Sequence, residues 1–440
     1  MNPLADELNA TIKEANPALY SVLSRLGREV FFPKGILTQT AEAREHAHKY
    51  DATIGIAREG GCAMNLPAIM DRISGLTPDQ VVDYAPSTGN MALRSLWREE
   101  MYRKNPSLAG KEVSLPVVTG GITHGLTVTG EMFLDPGDVV ILPNKAWGNY
   151  NMVYSVRREA DIRKFPLYSG SGFNTAGMQS TLSKALDDKG KALIVLNFPN
   201  NPTGYSVRKG EADDIVLAIK STAGPGREVV VVLDDAYFGL FYTDDALKES
   251  LFAKLAGAGD HVFPVKLDGA TKEEYAWGLR VGFITFSVAA GGREAEVYSA
   301  LEKKVGGAIR GNISNCSQLS QSLVFAAMSD PAFAGQKKQK FDLMLARAER
   351  VSDVLQDPDY DEFWEPYPFN AGYFMSIALK GIDAERFRVR LLHEHGVGVI
   401  ADGATDIRIA FSCLEKDEIS DLFDIMYRCA RELKGSADAP

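Results

Sequence analysis

Cysteine and histidine are scarce in this 440-residue chain, with four of the first and six of the second. Cys62, Cys316, Cys413 and Cys429 stand far apart and form no CxxC pair. A thiolate metal knuckle and a disulfide scaffold are therefore disfavoured, and reduced thiols in a cytoplasmic protein are expected. No apolar run approaches the ~20 residues that span a bilayer. The start, MNPLADELNATIKEANP, lacks the basic head and apolar centre of a signal peptide. Net charge is −10 with no arginine or lysine block, which argues against a nucleic-acid or anionic-membrane surface but leaves room for a local basic pocket. The pair His393 and His395 in LLHEHGVGVI reads as a helix end, where histidine complements the dipole, and no metal is assigned.

What is present is an ordinary globular composition, 45% apolar and 24% charged, in a chain longer than one core usually serves, so two lobes are expected. Short apolar runs recur through the middle: VSLPVV (113–118), DVVIL (138–142), ALIVL (192–196), VVVVL (229–233), HVFPVK (261–266) and VGFITF (281–286). Helical patterns such as GMQSTLSKALDD and EADDIVLAIKS lie between them. Strands alternating with helices imply an α/β domain whose mainly parallel sheet is covered on both faces, placed at residues 66–330. The long amphipathic QKKQKFDLMLARAERVSDVLQD, the strands YFMSIAL, VGVIA and DIRIAFS, and the helical EKDEISDLFDIMYRCARELK imply a smaller α+β lobe at 331–440. Residues 1–65 are expected to pack on that lobe, and the tail GSADAP is too small and polar to fold alone.

The strand ends carry the unusual chemistry. After ALIV, the chain leaves the sheet through LNFPNNPTGYS, which is either a plain turn or a ligand site at the carboxyl end of a strand. Asp234 and Asp235 follow VVVVL with no hydrophobic reason to be there, although a cap or a solvated turn would also use them. In TKEEYAWGLRVGF, Thr271 and Glu274 match a capping box that would leave Lys272 exposed, but Arg280 then enters a core strand and needs an anion. In VVTGGITHGL, the amides of Gly121, Ile122 and Thr123 at a helix start would form a phosphate cup; the spacing is not GxGxxG, which disfavours a dinucleotide. Trp147 in PNKAWGNY is either core or a flat wall for an aromatic ring.

Taken in order with compatible gaps, YAPSTGNMALR, TGGITHGL, PNKAWGNY, NFPNNPTG, LDDAYFG, TKEEYAWGLRVG, IRGNISN and DIRIAFS resemble the class I/II aminotransferases, fold type I enzymes that use pyridoxal 5′-phosphate. The resemblance runs from about residue 50 to residue 430. It implies a three-layer sandwich around a mainly parallel seven-stranded sheet, a smaller α+β domain, and a homodimer with shared active sites. It makes Lys272 the Schiff-base lysine, with Lys266 as its rival, and sets Asp234 against the pyridine nitrogen. Asn201 and Tyr237 would bond the phenolic oxygen, and Trp147 would stack on the ring. Arg280, the Gly121–Thr123 amides and Tyr84 from the neighbouring subunit would hold the phosphate. Where the family often carries a phosphate-binding serine this chain has Gly269, for which Thr271 or Ser314 would compensate. Arg408 would clamp the substrate α-carboxylate, and Arg310 would grip a side-chain carboxylate across the dimer.

The implied reaction is amino transfer between an amino acid, aspartate/glutamate or aromatic, and a 2-oxo acid. A pyridoxal-phosphate lyase, decarboxylase or synthase of the same fold is the alternative. A non-catalytic ligand-sensing domain of the sort fused to DNA-binding regulators is disfavoured, because residues 1–65 offer no basic helix-turn-helix.

Overall fold

A computed structural model describes residues 2–31 and 35–437. Its centre is a seven-stranded sheet of β1 (Val117–Thr119), β2 (Val139–Pro143), β3 (Asp161–Phe165), β4 (Lys191–Asn197), β5 (Glu228–Asp234), β6 (Val262–Gly269) and β7 (Gly282–Phe286), in spatial order β1-β7-β6-β5-β4-β2-β3. Only β7 runs antiparallel to its neighbours. The run VVVVL shows why three layers form. Alternate side chains of a strand leave on opposite faces, so Val230 and Val232 join one core while Val229, Val231 and Leu233 join another. The first core packs α2 (Ile122–Phe133) through Leu126 and Val128; the second packs α3 (Thr175–Lys189) and α4 (Lys209–Thr222) through Leu182, Ile215 and Ile219. The α/β three-layer architecture expected from the sequence is observed.

Two departures have local causes. The seventh strand, Asp161–Phe165, gave no apolar signal because it is the sheet edge and presents Asp161, Arg163 and Lys164, charges that discourage further pairing. In VSLPVV the strand begins at Val117, beyond an isolated Ser114 N–H bond to the Phe286 carbonyl, since Pro116 has no N–H for the ladder and gives its carbonyl to Arg94 Nε instead.

C-terminal to the sheet come α7 (Phe333–Val354) and a four-stranded antiparallel sheet of β8 (Trp364–Pro366), β9 (Met375–Leu379), β10 (Ile400–Asp402) and β11 (Asp406–Ile409), ordered β8-β9-β11-β10. The helices α8 (Ala384–His395) and α9 (Glu418–Ala437) follow β9 and β11. Residues Tyr50 and Asp51 pair with Val397 and Gly398, and Gln39 bonds Ala401, which ties part of the N-terminal segment to this sheet. Helix α9 takes in Gly435–Ala437, half of the expected loose tail; residues 438–440 lie outside the described residues. Among the described residues no helix is long and apolar enough to cross a membrane.

The turn after β4 joins the two sheets. Gly204 donates to Asn200 and accepts from Asn370 and Ala371, at φ +73°. A Cβ there would overlap the carbonyl of Phe374. Gly204→Ala is therefore expected to cost about 2 kcal/mol or more, through left-handed backbone strain and overpacking. Urea unfolding checks this, and unchanged stability would show that the turn is not held as described.

Candidate active site

Parallel strands put their carboxyl ends on one side, which is where ligands bind in such sheets. There β4, β5 and β6 open on a cleft of about 190 Å³ lined by Asn197, Asn201, Asp234, Tyr237, Thr271, Lys272 and, from β11, Arg408. Ile122, Thr123, Trp147, Tyr150, Ala236, Arg280, Gly55 and Phe374 complete the lining. Of the lining side chains, three are cationic (Lys272, Arg280, Arg408) and one, Asp234, is anionic.

The asparagines of NFPNNPTG each hold something different. Asn197 Nδ2 donates to the carbonyl of Asp234 (2.8 Å), and its Oδ1 accepts from the Asn201 N–H (2.9 Å). Asn200 Oδ1 accepts from the Thr203 hydroxyl and N–H, closing the turn. Asn201 Oδ1 accepts from Arg408 Nη1 (3.1 Å), which leaves its NH2 group facing the cleft. The stretch is a turn and a site wall at once.

Asp234 is buried at the end of β5. Its Oδ2 accepts from the Tyr150 hydroxyl (2.7 Å) and its Oδ1 from the Ala236 N–H (3.1 Å). Burial raises its pKa, while the Tyr150 hydrogen bond and the nearby Lys272 charge act against that rise.

The two candidate lysines are separated cleanly. Lys266 lies 1% exposed beneath the sheet end, bridging Asp235 (2.7 Å) and Asp268 (2.6 Å), and does not line the cleft. Lys272 lies in the cleft on the single-turn helix α5 (Ala270–Glu273), with its Nζ 5.1 Å from the Tyr237 ring centroid. Among the described residues it has no ion pair within 4 Å. Burial lowers its pKa from 10.5 to about 8; Asp234 opposes the shift and Arg280 adds to it. The helix is anchored by its other side chains: Glu273 and Glu274 are buried, and Lys104 of α1 (Met91–Lys104) and Lys337 of α7 both pair with them. The capping box is not formed. Thr271 sits inside the helix, its buried Oγ1 without a hydrogen-bond partner and lining the cleft.

At the start of α2, the N–H groups of Ile122 and Thr123 have no acceptor within the helix and lie at the cleft wall. The Gly121 N–H differs from expectation, because it turns back to the Thr119 carbonyl (2.8 Å). Gly121 instead serves by lacking a side chain: at φ +82°, a Cβ would overlap the Arg280 guanidinium. At Gly269 a Cβ would meet the Val281 carbonyl at 2.6 Å, so a serine has no room there. Ser314 Oγ is engaged by Arg310 and lines no part of the cleft, which leaves Thr271 as the available hydroxyl.

Arg408 is 2% exposed, over the Phe374 ring (4.3 Å), and gives Nη2 to the Thr53 carbonyl (2.7 Å). Its Nε is buried without a partner, and among the described residues no carboxylate lies within 4 Å. Burial lowers its pKa to about 10. Two expected residues lie outside the cleft within one chain: Tyr84 is 85% exposed, and Arg310 is exposed at the end of α6 (Glu294–Asn312). Tyr150 and Asn197 were not anticipated. Their signal was present in the quoted motifs, three residues after Trp147 and at the very end of the β4 run.

The family model for aminotransferase class I and II matches residues 62–425. A probable N-acetyl-LL-diaminopimelate aminotransferase of Bacillus subtilis (strain 168) is 24% identical over 345 residues, covering 76% of this chain and 78% of that protein. Among solved structures, an aminotransferase from Anaerococcus prevotii superposes with a TM-score of 0.80 at 20% identity, covering 90% of this chain and 96% of that one. A Pyrococcus horikoshii kynurenine aminotransferase, solved in complex with PMP, gives 0.77 at 16% identity over 94% and 98% of the chains.

The buried amine sets a pH signature. Folded Lys272 holds its proton less tightly than the unfolded chain does, so between about pH 8 and 10.5 the unfolded state binds the extra proton and stability rises with pH. Below pH 8 the folded protein carries the cost of a buried ammonium. Lys272→Met apoprotein is therefore expected to be more stable than wild type at pH 7, on the order of 2 kcal/mol, with the difference vanishing by about pH 10.5. Chemical denaturation at both pH values checks it; a constant difference contradicts a depressed lysine.

Proposed function

The chain belongs to the aminotransferase class I and II family, and from that premise we propose that it is a pyridoxal-phosphate-dependent aminotransferase acting between an amino acid and a 2-oxo acid. The observation that carries the reading is Lys272: a cleft-facing amine with depressed basicity and no ion-pair partner, set among a surplus of positive charge that calls for an anionic guest.

The residues present fit the cofactor. A phosphate would find the Arg280 guanidinium, the Ile122 and Thr123 amides and the partnerless Thr271 hydroxyl, in a space kept open by Gly121. The pyridine nitrogen would face Asp234, which Tyr150 and the Ala236 amide hold in place and which Asn197 fixes from behind. Tyr237 and the Asn201 amide would meet the phenolic oxygen, and Trp147 would wall the ring. When bound, pyridoxal phosphate supplies an aldehyde for amine exchange and a sink for the electrons left at the substrate Cα.

The chain's own groups then divide the work. Lys272 Nζ would be the amine that holds the cofactor's aldehyde carbon, and as a free neutral amine it would take the proton from the substrate Cα and, as ammonium, return it. A pKa near 8 suits both directions. An ionised Asp234 would hold a proton on the pyridine nitrogen. Arg408, with Nε unclaimed, would bind the substrate α-carboxylate and so orient Cα toward Lys272. Because Lys272 belongs to the proposed large domain (66–330) and Arg408 to the proposed small one (331–440, with 1–65 packed on it), substrate would draw the two together.

A cytoplasmic homodimer with Tyr84 and Arg310 serving the neighbouring site is part of the proposal. The exposed apolar residues Met70, Ile73, Val82, Tyr84, Met91 and Ile313 support it.

Borohydride reduction of the holoenzyme should fix cofactor mass on the peptide containing Lys272; label on Lys266 would overturn the assignment. Asp234→Asn should keep cofactor but lose turnover by about a hundredfold or more, as when a preorganised electrostatic group is neutralised. Near-normal rates would mean that the ring charge is held elsewhere.

A further inference from the structure

Beside the Lys272 cleft, and sharing Thr123, Trp147, Asn201 and Arg408 with it, opens a second recess of about 450 Å³. Among the described residues its other walls carry carbon from Phe31, Ala146, Met152, Pro202 and Ile400, the amides of Asn149 and Asn151, and a single carboxylate, Asp402. Strand register explains the placement. Across β10 and β11, Ile400 faces Arg408 and Asp402 faces Asp406. Side chains two apart share a face, so Asp402 stands one residue pair beyond Arg408, about 7 Å along the strands.

The charges on that face are already apportioned, except one. Asp406 is taken by Lys145 and the Tyr367 hydroxyl. Arg408 has no counter-carboxylate of its own. Asp402 is exposed to the recess and, among the described residues, makes no side-chain hydrogen bond or ion pair. Burial and Asp406 raise the Asp402 pKa, while the more distant charges of Lys145, Arg408 and Lys164 act against the rise. With the substrate α-carboxylate on Arg408, that arginine's help is spent, and Asp402 is left as the carboxylate of the recess without a direct cation among the described residues.

We infer that this recess receives the substrate side chain and that Asp402 selects it: the preferred amino donor has an apolar stem of several carbons ending in a cation, and acidic side chains are refused. The inference rests on the aminotransferase reading and on Arg408 as the α-carboxylate clamp. Selection works in both directions, because a cationic end finds an unpaired carboxylate whereas an acidic end meets a like charge after the nearest arginine is spent. It departs from the dicarboxylate specificity that Arg310 suggested. Within one chain Arg310 lines neither recess and donates to Ser314.

Binding to the holoenzyme of 6-aminohexanoate and glutarate, the counterparts of lysine and glutamate without the α-amino group, tests this by calorimetry without turnover. The cationic analogue should bind at least roughly tenfold tighter, and Asp402→Asn should weaken it by a similar factor while strengthening glutarate. Glutarate binding as tightly as 6-aminohexanoate to wild type, or a variant that leaves their ratio unchanged, overturns the role of Asp402; the first result is what Arg310 of a second copy entering the recess would give. Single-turnover reactions with lysine, ornithine and glutamate, followed by loss of the cofactor's visible absorption, separate the two readings. Faster reaction with glutamate removes the Asp402 inference and leaves an aminotransferase standing, whereas no reaction with any amino donor removes both.

Discussion

A surplus of positive charge around one cleft, with Arg408 buried, Lys272 half-buried and Arg280 at the rim, governs this site. A chain with a net charge of −10 has gathered Lys272, Arg280 and Arg408 around one cleft, with Asp234 as the only carboxylate in its lining among the described residues. Taking cations out of water is costly unless they are paired. The molecule registers that cost directly, in the lowered pKa values of Lys272 and Arg408. That electrostatic demand would be met by the proposed guest bearing a phosphate and substrate bearing a carboxylate. With its pKa lowered to about 8, Lys272 is a free amine in a larger fraction near neutral pH than an ordinary lysine, so the feature that costs stability would also equip the proposed chemistry.

The rest of the structure holds that arrangement still. Beneath the cleft, Lys266 neutralises Asp235 and Asp268, the buried carboxylates flanking the ends of β5 and β6. On the far side of α5, Lys104 and Lys337 neutralise Glu273 and Glu274, the two residues after Lys272. These buried pairs contribute little net stability by themselves, but removing one partner would strand a charge, so they fix geometry more than they add energy. Asn197, bonded to the backbone of both Asp234 and Asn201, plays the neutral version of that part. Two lysines six residues apart thus differ in kind: Lys266 is paired with two carboxylates, whereas Lys272 has none within 4 Å among the described residues and is the proposed reactive amine.

Much of this was legible in the sequence because apolar runs and strand-end motifs report the sheet and its carboxyl edge. DVVIL, ALIVL and VVVVL became strands close to their written limits, and NNPTG, DDAYFG and TKEEYAWGLR converged on one cleft. Long-range contacts were not legible. Nothing local to Tyr150 says that its hydroxyl reaches Asp234, 84 residues on. Thr271 and Glu274 have capping-box spacing, but tertiary ion pairs with Lys104 and Lys337 claim the glutamate and leave the threonine for the cleft. Gly121 was chosen for its amide, yet matters for the side chain it lacks. The edge strand Asp161–Phe165 was invisible because charge on an edge erases the apolar alternation that marks a strand.

The central claim is that one uncompensated amine in a cation-rich cleft binds an aromatic aldehyde phosphate. Its most direct test is the visible absorption of the purified chain titrated with pyridoxal phosphate. A new band should saturate at one equivalent per chain in the wild type and be absent from Lys272→Ala. A wild-type protein that stays colourless, or a variant that develops the same band, would contradict it.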